Sequence, residues 1–125
     1  MKLDDATFMR LARGDFDPKS LIEDRALAER CSDTADMRQN LWLLYSLAVG
    51  ICARDMLEVG ANDGTSTLAL LKAAHETDGR VLSVDVVDVP HARAIVGALE
   101  LGDRWEFRLG DSRDVLPALR ADGCR

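Results

Sequence analysis

Short apolar runs alternate with helical patterns between residues 56 and 120, and this alternation constrains the fold more than any other feature. Strand-like runs occupy 56–59, 80–86 and 105–109, and each is followed by a segment with apolar residues at helical spacing, at 66–75, 90–99 and 113–120. Another helical pattern, from Leu41 to Cys52, precedes the first strand. Strands that alternate with helices predict a parallel sheet with right-handed crossovers. We therefore predict an α/β fold with its strands in the order 3-2-1.

The segment before residue 37 is richer in charge and is interrupted by Gly14 and by Asp17-Pro18. Ser20 and Glu23 have the spacing of a capping box, which predicts the start of a helix. We divide the chain into a helical N-terminal appendage, 1–36, and a partial Rossmann-like, doubly wound domain, 37–125. A length of 125 residues suffices for one small core.

Charge and cysteine usage restrict the partners and the compartment. The chain has 22 acidic and 16 basic residues, and a net charge of −6 argues against nucleic-acid binding. Its most apolar stretch, 41–53, is shorter than the ~20 residues of a membrane span. Cys31, Cys52 and Cys124 are widely spaced, which is typical of reduced thiols. We expect a cytoplasmic protein without a membrane or nucleic-acid partner.

The loop after the first strand has the composition of a ligand-binding turn. An acidic residue, Glu58, ends the strand, and Gly60 and Gly64 bracket Asn62-Asp63. The two glycines supply backbone conformations closed to other residues, and Asn or Asp enters the left-handed region at low cost. The following helix offers free N–H groups at its N-terminus. This composition exceeds what a purely structural turn requires.

Acidic residues also follow the next two strands. Asp85 lies 21 positions beyond Gly64, the distance at which a carboxylate accepts hydrogen bonds from ribose hydroxyls in dinucleotide-binding folds. After the third strand, Gly110-Asp111-Ser112 offers a carboxylate for an exocyclic amine such as that of adenine, although this triplet is also typical of a helix cap. The sequence therefore predicts a nucleoside site at the carboxyl ends of the strands.

These motifs resemble those of class I S-adenosylmethionine-dependent methyltransferases, and the likeness covers about Gln39 to Cys124. The loop is a variant of the family's acid-x-Gly-x-Gly-x-Gly pattern, with Asn62 at the middle glycine position. The segment from Leu57 to Leu71 is similar to small-molecule O-methyltransferases, whereas Gly-Ala-Asn also resembles the FkbM-type branch. The resemblance implies S-adenosyl-L-methionine as cofactor and methyl transfer to an oxygen of a small-molecule acceptor.

The resemblance also implies roles for particular residues. Glu58 would orient the loop and the methionine amino group, and Asn62 and Ser66 would hydrogen-bond the carboxylate or amine of the cofactor. Asp85 would accept from the ribose hydroxyls. The remaining implied cofactor contacts are Gly60, Ala61, Gly64, Val86 against adenine, and Asp111 with Ser112 at the adenine edge. No catalytic residue and no metal ligand is predicted.

In the family, a fourth strand pairs with the first, and the sequence has no candidate for strands four to seven. We therefore expect a sheet truncated after the third strand. The strand Met56–Val59 would then be an open edge, suited to self-association or to docking of a C-terminal half.

Two other functions stay open at this point. A nicotinamide-dependent oxidoreductase would use a similar loop and acid, but it expects Gly-x-Gly-x-x-Gly, and Asn62 and Thr65 occupy its second and third glycine positions. The other alternative is a catalytically inactive remnant that binds a nucleoside or serves as an interaction module.

Overall fold

The computed structural model describes residues 1–30 and 35–122, with side chains from Arg38 onward in the second range. Helices and strands alternate as predicted. The helices are α1 (Asp5–Arg13), α2 (Arg25–Glu29), α3 (Ala35–Gly50), α4 (Thr65–Thr77), α5 (Pro90–Ala98) and α6 (Ser112–Ala121), with 3-10 turns at Pro18–Leu21 and Gly102–Arg104. The strands are β1 (Asp55–Val59), β2 (Arg80–Asp85) and β3 (Trp105–Leu109).

The three strands form one parallel sheet in the order β1-β2-β3, which confirms the predicted topology. Asp55 is in register with Arg80 in the first pair, and Asp85 is in register with Leu109 in the second. Because the strands are parallel, their carboxyl ends meet at one edge of the sheet. Within the described part of the chain, β1 pairs with β2 alone.

Helices cover the two faces of the sheet unequally. Leu68 and Leu71 of α4 and Ile95 of α5 share one buried cluster with Val81 of β2, so α4 and α5 lie on the same face. On the other face, α6 borders a cavity of about 980 Å³ lined by Leu116, Leu119, Leu57 and Leu82, among other residues. Leu57 is consequently half exposed, at 51%.

The N-terminal segment and the sheet share one core. Phe8 and Leu11 of α1 are fully buried in the cluster that also holds Leu71 and Leu99. The ring of Phe8 lies 5.0 Å from that of Tyr45, measured between centroids. Residues 1–30 are therefore joined to the rest by apolar packing and not by a linker alone.

An ion pair reinforces this joint. The ammonium of Lys72, which is 8% exposed, donates to Asp5 at 2.7 Å and to Glu76 at 3.1 Å. The Tyr45 hydroxyl donates to the same Glu76 carboxylate at 2.6 Å. Burial, together with the neighbouring Glu76, raises the pKa of Tyr45 to about 12, so the phenol stays protonated as a donor.

The predicted capping box at Ser20 is wrong. Pro18 begins a 3-10 turn in which the Ser20 hydroxyl donates to the Asp17 carbonyl at 2.7 Å. The helix starts later, and Asp24 caps it by accepting from the Leu27 N–H at 3.1 Å. A proline at the first position favours the earlier, tighter turn and so removes Ser20 from the helix terminus.

Two further predictions from the sequence concern membrane spans and the state of the cysteine thiols. Among residues 1–30 and 35–122, no helix combines the length and apolar character needed to cross a bilayer. Cys52 is an exposed free thiol. Cys31 and Cys124 lie outside the described residues.

Candidate functional site

The loop between β1 and α4 is built from residues with unusual backbone angles. Gly60, Asn62 and Gly64 have φ of +87°, +49° and +88°. The Gly60 N–H donates to the Val84 carbonyl at 2.7 Å, which continues the pairing of β1 with β2 into the loop. As the sequence predicts, glycine and asparagine occupy the left-handed backbone positions. A residue with a branched or bulky side chain would be strained at these positions.

The two loop glycines differ in their surroundings. A Cβ added at Gly60 would meet no atom within 4 Å, whereas one at Gly64 would lie 2.7 Å from the Cβ of Ala92. Gly64 thus permits close packing of the loop against α5. Ala61 is also turned inward, in a buried cluster with Val89 and Ala92. The side of the loop that remains open to solvent is formed by Gly60 and Asn62.

Asp85 ties the loop to the end of β2. Its carboxylate accepts from the Asn62 N–H at 3.0 Å and from the Val87 N–H at 3.2 Å. Burial opposes ionisation of this carboxyl, but the surrounding backbone N–H groups outweigh burial and lower the pKa of Asp85. The carboxylate is therefore charged at neutral pH. Its contribution to stability is present above the ordinary aspartate pKa of about 3.9 and is lost as the pH falls through the lowered value.

Glu58 lies below the loop and is 8% exposed. Its carboxylate accepts from the hydroxyls of Ser66 at 2.5 Å, Thr67 at 2.7 Å and Ser83 at 2.7 Å. The indole N–H of Trp105 donates in turn to Ser83 at 2.9 Å. The buried Glu58 carboxylate thus joins β1 and β2 to the first turn of α4, and Trp105 extends this network to β3 through Ser83.

Asp63 was not among the predicted site residues. It is 6% exposed, and its carboxylate accepts from the Thr65 N–H at 3.2 Å and the Thr65 hydroxyl at 3.0 Å. The residue at the cap position of α4, Gly64, has no side chain to satisfy these N–H groups. An aspartate two residues before a threonine is the signal that identifies such a turn.

At the end of β3, the Gly110 N–H donates to the Asp85 carbonyl at 2.8 Å, which brings the ends of β2 and β3 together. Asp111 caps α6 by accepting from the Arg113 N–H at 2.8 Å. The same carboxylate pairs with the Arg113 guanidinium, whose Nη2 lies 2.6 Å from Oδ2. This guanidinium lowers the pKa of Asp111. Ser112 is the first residue of α6 and is half-buried.

Apolar side chains surround these polar groups at the carboxyl edge. Val59, Val86, Val87 and Leu109 end or follow the strands and are 55–66% exposed. Predicted contact residues thus fall into two groups. Asn62, Asp85, Val86, Asp111 and Ser112 reach the surface or its margin, as does the Gly60 backbone, whereas Glu58, Ala61 and Gly64 are buried and Ser66 is partly buried against Glu58.

Comparisons with known proteins agree with this architecture. A family model for a methyltransferase domain matches residues 57–125, just over half of the chain. The SAH-bound methyltransferase PaMTH1 of Podospora anserina has a TM-score of 0.63 at 19% identity, a likeness of fold, covering 95% of this chain and 47% of that chain. Cofactor-bound Rv0187 from MTB has a TM-score of 0.61 at 28% identity, covering 93% and 49%.

The chain therefore spans about half the length of each of these two solved structures. A search of curated proteins gave no match. The truncated Rossmann-like fold predicted from the sequence is confirmed by the observed sheet and by these structural matches.

Proposed function

Since the chain belongs to the methyltransferase-domain family, we propose that it is the cofactor-binding part of an S-adenosyl-L-methionine-dependent enzyme. The proposed reaction transfers the methyl group to an oxygen of a small-molecule acceptor. The two solved relatives, one SAH-bound and one cofactor-bound, support the cofactor. The choice of oxygen is supported by the likeness of residues 57–71 to small-molecule O-methyltransferases.

The observation that carries the proposal is the charged Asp85 carboxylate beside an open, glycine-containing loop. We propose that Asp85, whose carboxylate is held ionised by surrounding backbone N–H groups at the end of β2, accepts from the ribose hydroxyls. Val86, 66% exposed, offers an apolar surface next to it for the adenine ring. The space beside Gly60 admits a ligand close to the backbone.

Buried residues would act through the loop. Glu58 is covered by Ser66 and Thr67, so we propose that it orients the cofactor's amino-acid end through the Ser66 hydroxyl and the loop backbone. When bound, the cofactor supplies an electrophilic methyl group on a sulfonium. The contribution of this chain is to hold that group in place for alignment with the acceptor. We assign no catalytic base and no metal ligand.

Asp85→Ala is expected to weaken binding of S-adenosylhomocysteine by about 1–3 kcal/mol, because hydrogen bonds to a charged group are lost. Isothermal titration calorimetry measures this affinity. Asp88→Ala is the matched control, since Asp88 is an exposed acid three residues away that pairs with Arg93. Unchanged affinity in a folded Asp85→Ala protein would contradict the assignment. Binding of NAD without binding of S-adenosylhomocysteine would contradict the methyltransferase proposal and favour the oxidoreductase.

We also propose that the open edge of β1 receives a further strand, from a second copy or from a segment that completes the domain. The Arg80 N–H donates to the Arg54 carbonyl, and the Gly60 N–H donates to the Val84 carbonyl. The backbone N–H and C=O groups of even-numbered residues in β1 therefore point toward β2. Because backbone groups alternate in direction along a parallel strand, Leu57 and Val59 direct theirs outward. Both side chains are also more than half exposed. Such an edge is a template for strand addition.

Val59→Pro is expected to reduce self-association of the chain, because proline removes an outward N–H while sparing the β1–β2 pairing. The loss of one interchain hydrogen bond corresponds to about fivefold weaker association. Sedimentation velocity over a concentration series measures it, and Val59→Thr, which keeps the N–H, is the control. Equal association of the proline and threonine variants would contradict strand addition by a second copy at this edge.

We further propose a cytoplasmic location, for which the exposed free thiol of Cys52 is the support.

A further inference from the structure

We propose that Ser83 and Trp105 are positioning residues for the amino-acid end of the cofactor, acting through the buried Glu58 carboxylate. This inference rests on the proposed function, in which Glu58 reaches the cofactor through the Ser66 hydroxyl, and deepens it. The sequence predicts neither Ser83 nor Trp105 as a site residue. They lie in β2 and β3, and the hydrogen bonds that run from them to Glu58 carry the inference.

The indole of Trp105 fixes the direction of these hydrogen bonds. Its Nε1–H donates to the Ser83 hydroxyl oxygen at 2.9 Å, and an indole N–H can only donate. A serine hydroxyl has a single hydrogen, so Ser83 accepts from Trp105 and gives its own hydrogen to Oε2 of Glu58 at 2.7 Å. The Ser83 hydroxyl is therefore held in one orientation, as a donor to Glu58.

Two more hydroxyls complete the hydrogen bonding of Glu58. Thr67 donates to Oε2 at 2.7 Å, and Ser66 donates to Oε1 at 2.5 Å. Ser83 and Thr67 are both fully buried, so they hold Oε2 from the interior of the protein and leave Oε1 facing Ser66. A buried network whose members all have partners is rigid, and it specifies one arrangement of its side chains.

Ser66 lies at the loop end of this network, in the first turn of α4, and is only partly buried. Its single hydroxyl hydrogen is directed to Glu58, so toward a ligand its oxygen can only accept. An acceptor complements the ammonium group of the cofactor's amino-acid end, whereas the carboxylate of that end also only accepts. The network therefore favours the ammonium group as the partner of Ser66.

Removal of the indole N–H would loosen this network from a distance. Without the Trp105 donor, the Ser83 hydroxyl is free to rotate, and its hydrogen is no longer committed to Glu58. The carboxylate then loses its fixed orientation, and with it Ser66 loses its own. Asp85 has its own hydrogen bonds, from backbone N–H groups, so its proposed contact with the ribose is independent of the network.

The test is a double-mutant cycle on S-adenosylhomocysteine binding, measured by isothermal titration calorimetry. We expect Trp105→Phe, which keeps an aromatic ring and removes the N–H, to weaken binding about threefold to tenfold, the range of a single hydrogen bond. In a Ser66→Ala background the same substitution should have little further effect, because the route to the cofactor ends at Ser66. Trp42→Phe is the matched control, since Trp42 packs against Phe8 in α3, and it should leave the affinity unchanged.

A second measurement uses methylthioadenosine, which has the same nucleoside as the cofactor but lacks the amino-acid end. Trp105→Phe and Ser83→Ala should each weaken S-adenosylhomocysteine binding and leave methylthioadenosine binding within about twofold, because the lost hydrogen bond serves the ammonium group alone. The combined Trp105→Phe and Ser83→Ala variant should resemble Ser83→Ala, since both substitutions act through the same hydroxyl. Circular dichroism checks that each variant folds.

Equal weakening by Trp105→Phe with and without the Ser66 hydroxyl would overturn the inference, because a merely structural effect does not depend on Ser66. Equal weakening for both compounds would overturn it as well, as would unchanged affinity in a folded Trp105→Phe protein. Failure of the proposed function has a different signature, because the unchanged chain would then bind neither compound. Binding that depends on Asp85 but not on Trp105 would leave the cofactor proposal standing and overturn this one.

Discussion

Phe8→Ala is expected to lower the free energy of unfolding of the chain by about 3–5 kcal/mol. Phe8 is fully buried, and its ring contacts those of Trp42 and Tyr45, with centroids 5.7 and 5.0 Å away. Removing the ring leaves a cavity between α1 and α3 and also uncovers the aliphatic and ammonium part of Lys72, which lies over the same ring. Urea unfolding followed by far-UV circular dichroism measures the loss.

Leu43→Ala is the matched control, because Leu43 is a large apolar residue of α3 that is 57% exposed. Its truncation should change the free energy of unfolding by less than about 0.5 kcal/mol. A single, shifted transition in Phe8→Ala would agree with the shared core of residues 1–30 and the sheet. An unshifted main transition would mean that the N-terminal segment adds nothing to the stability of the cofactor-binding part, against the packing described above.

Gly64→Ala is expected to destabilise the chain by about 2–4 kcal/mol, from two separate causes. A φ of +88° disfavours any residue with a Cβ by about 1 kcal/mol. The new Cβ would also lie 2.7 Å from that of Ala92 and 3.0 Å from its Cα, and overpacking of this kind typically costs about 1–3 kcal/mol. Thermal or urea unfolding measures the sum.

Gly60→Ala separates these causes. Its φ of +87° is nearly the same, but the added Cβ meets no atom within 4 Å, so we expect a loss of about 1 kcal/mol. The double substitution Gly64→Ala with Ala92→Gly should recover part of the loss, because it removes the clashing Cβ. If Gly60→Ala and Gly64→Ala were equally destabilising and Ala92→Gly gave no recovery, the contact between the loop and α5 would not be the cause.

Local patterns sufficed to predict the order of strands and helices. Hydrophobic periodicity and turn residues determine secondary structure over a few positions. The apolar run at 56–59, for example, corresponds to the strand Asp55–Val59. The carboxyl-edge position of Asp85 follows from the same information, because parallel strands must end together. The cofactor contacts assigned to individual residues by resemblance stay predictions.

Contacts between distant residues were not predictable in this way. The carboxylate of Glu58 is buried by hydroxyls from α4 and β2, and Ser83 is in turn bound by Trp105, 22 residues further along the chain. No local spacing specifies these partners. The sequence likewise indicated that Gly64 was needed, but the neighbour that requires it, Ala92, comes from another helix. The capping box failed because a nearby proline determined the turn first.

The position of the N-terminal segment has a consequence for synthesis of the chain. The amino terminus of Met1 donates to the carbonyl of Ala98 and to Glu100, which lie 97 and 99 residues later. The contacts of Asp5 with Lys72 of α4 and of Met1 with Ala98 of α5 can therefore form only after those later helices have been synthesised. Phe8 can meet Trp42 and Tyr45 of α3 earlier, but the cluster that it shares with Leu71 and Leu99 closes later, and such long-range closure slows folding and prolongs exposure to aggregation.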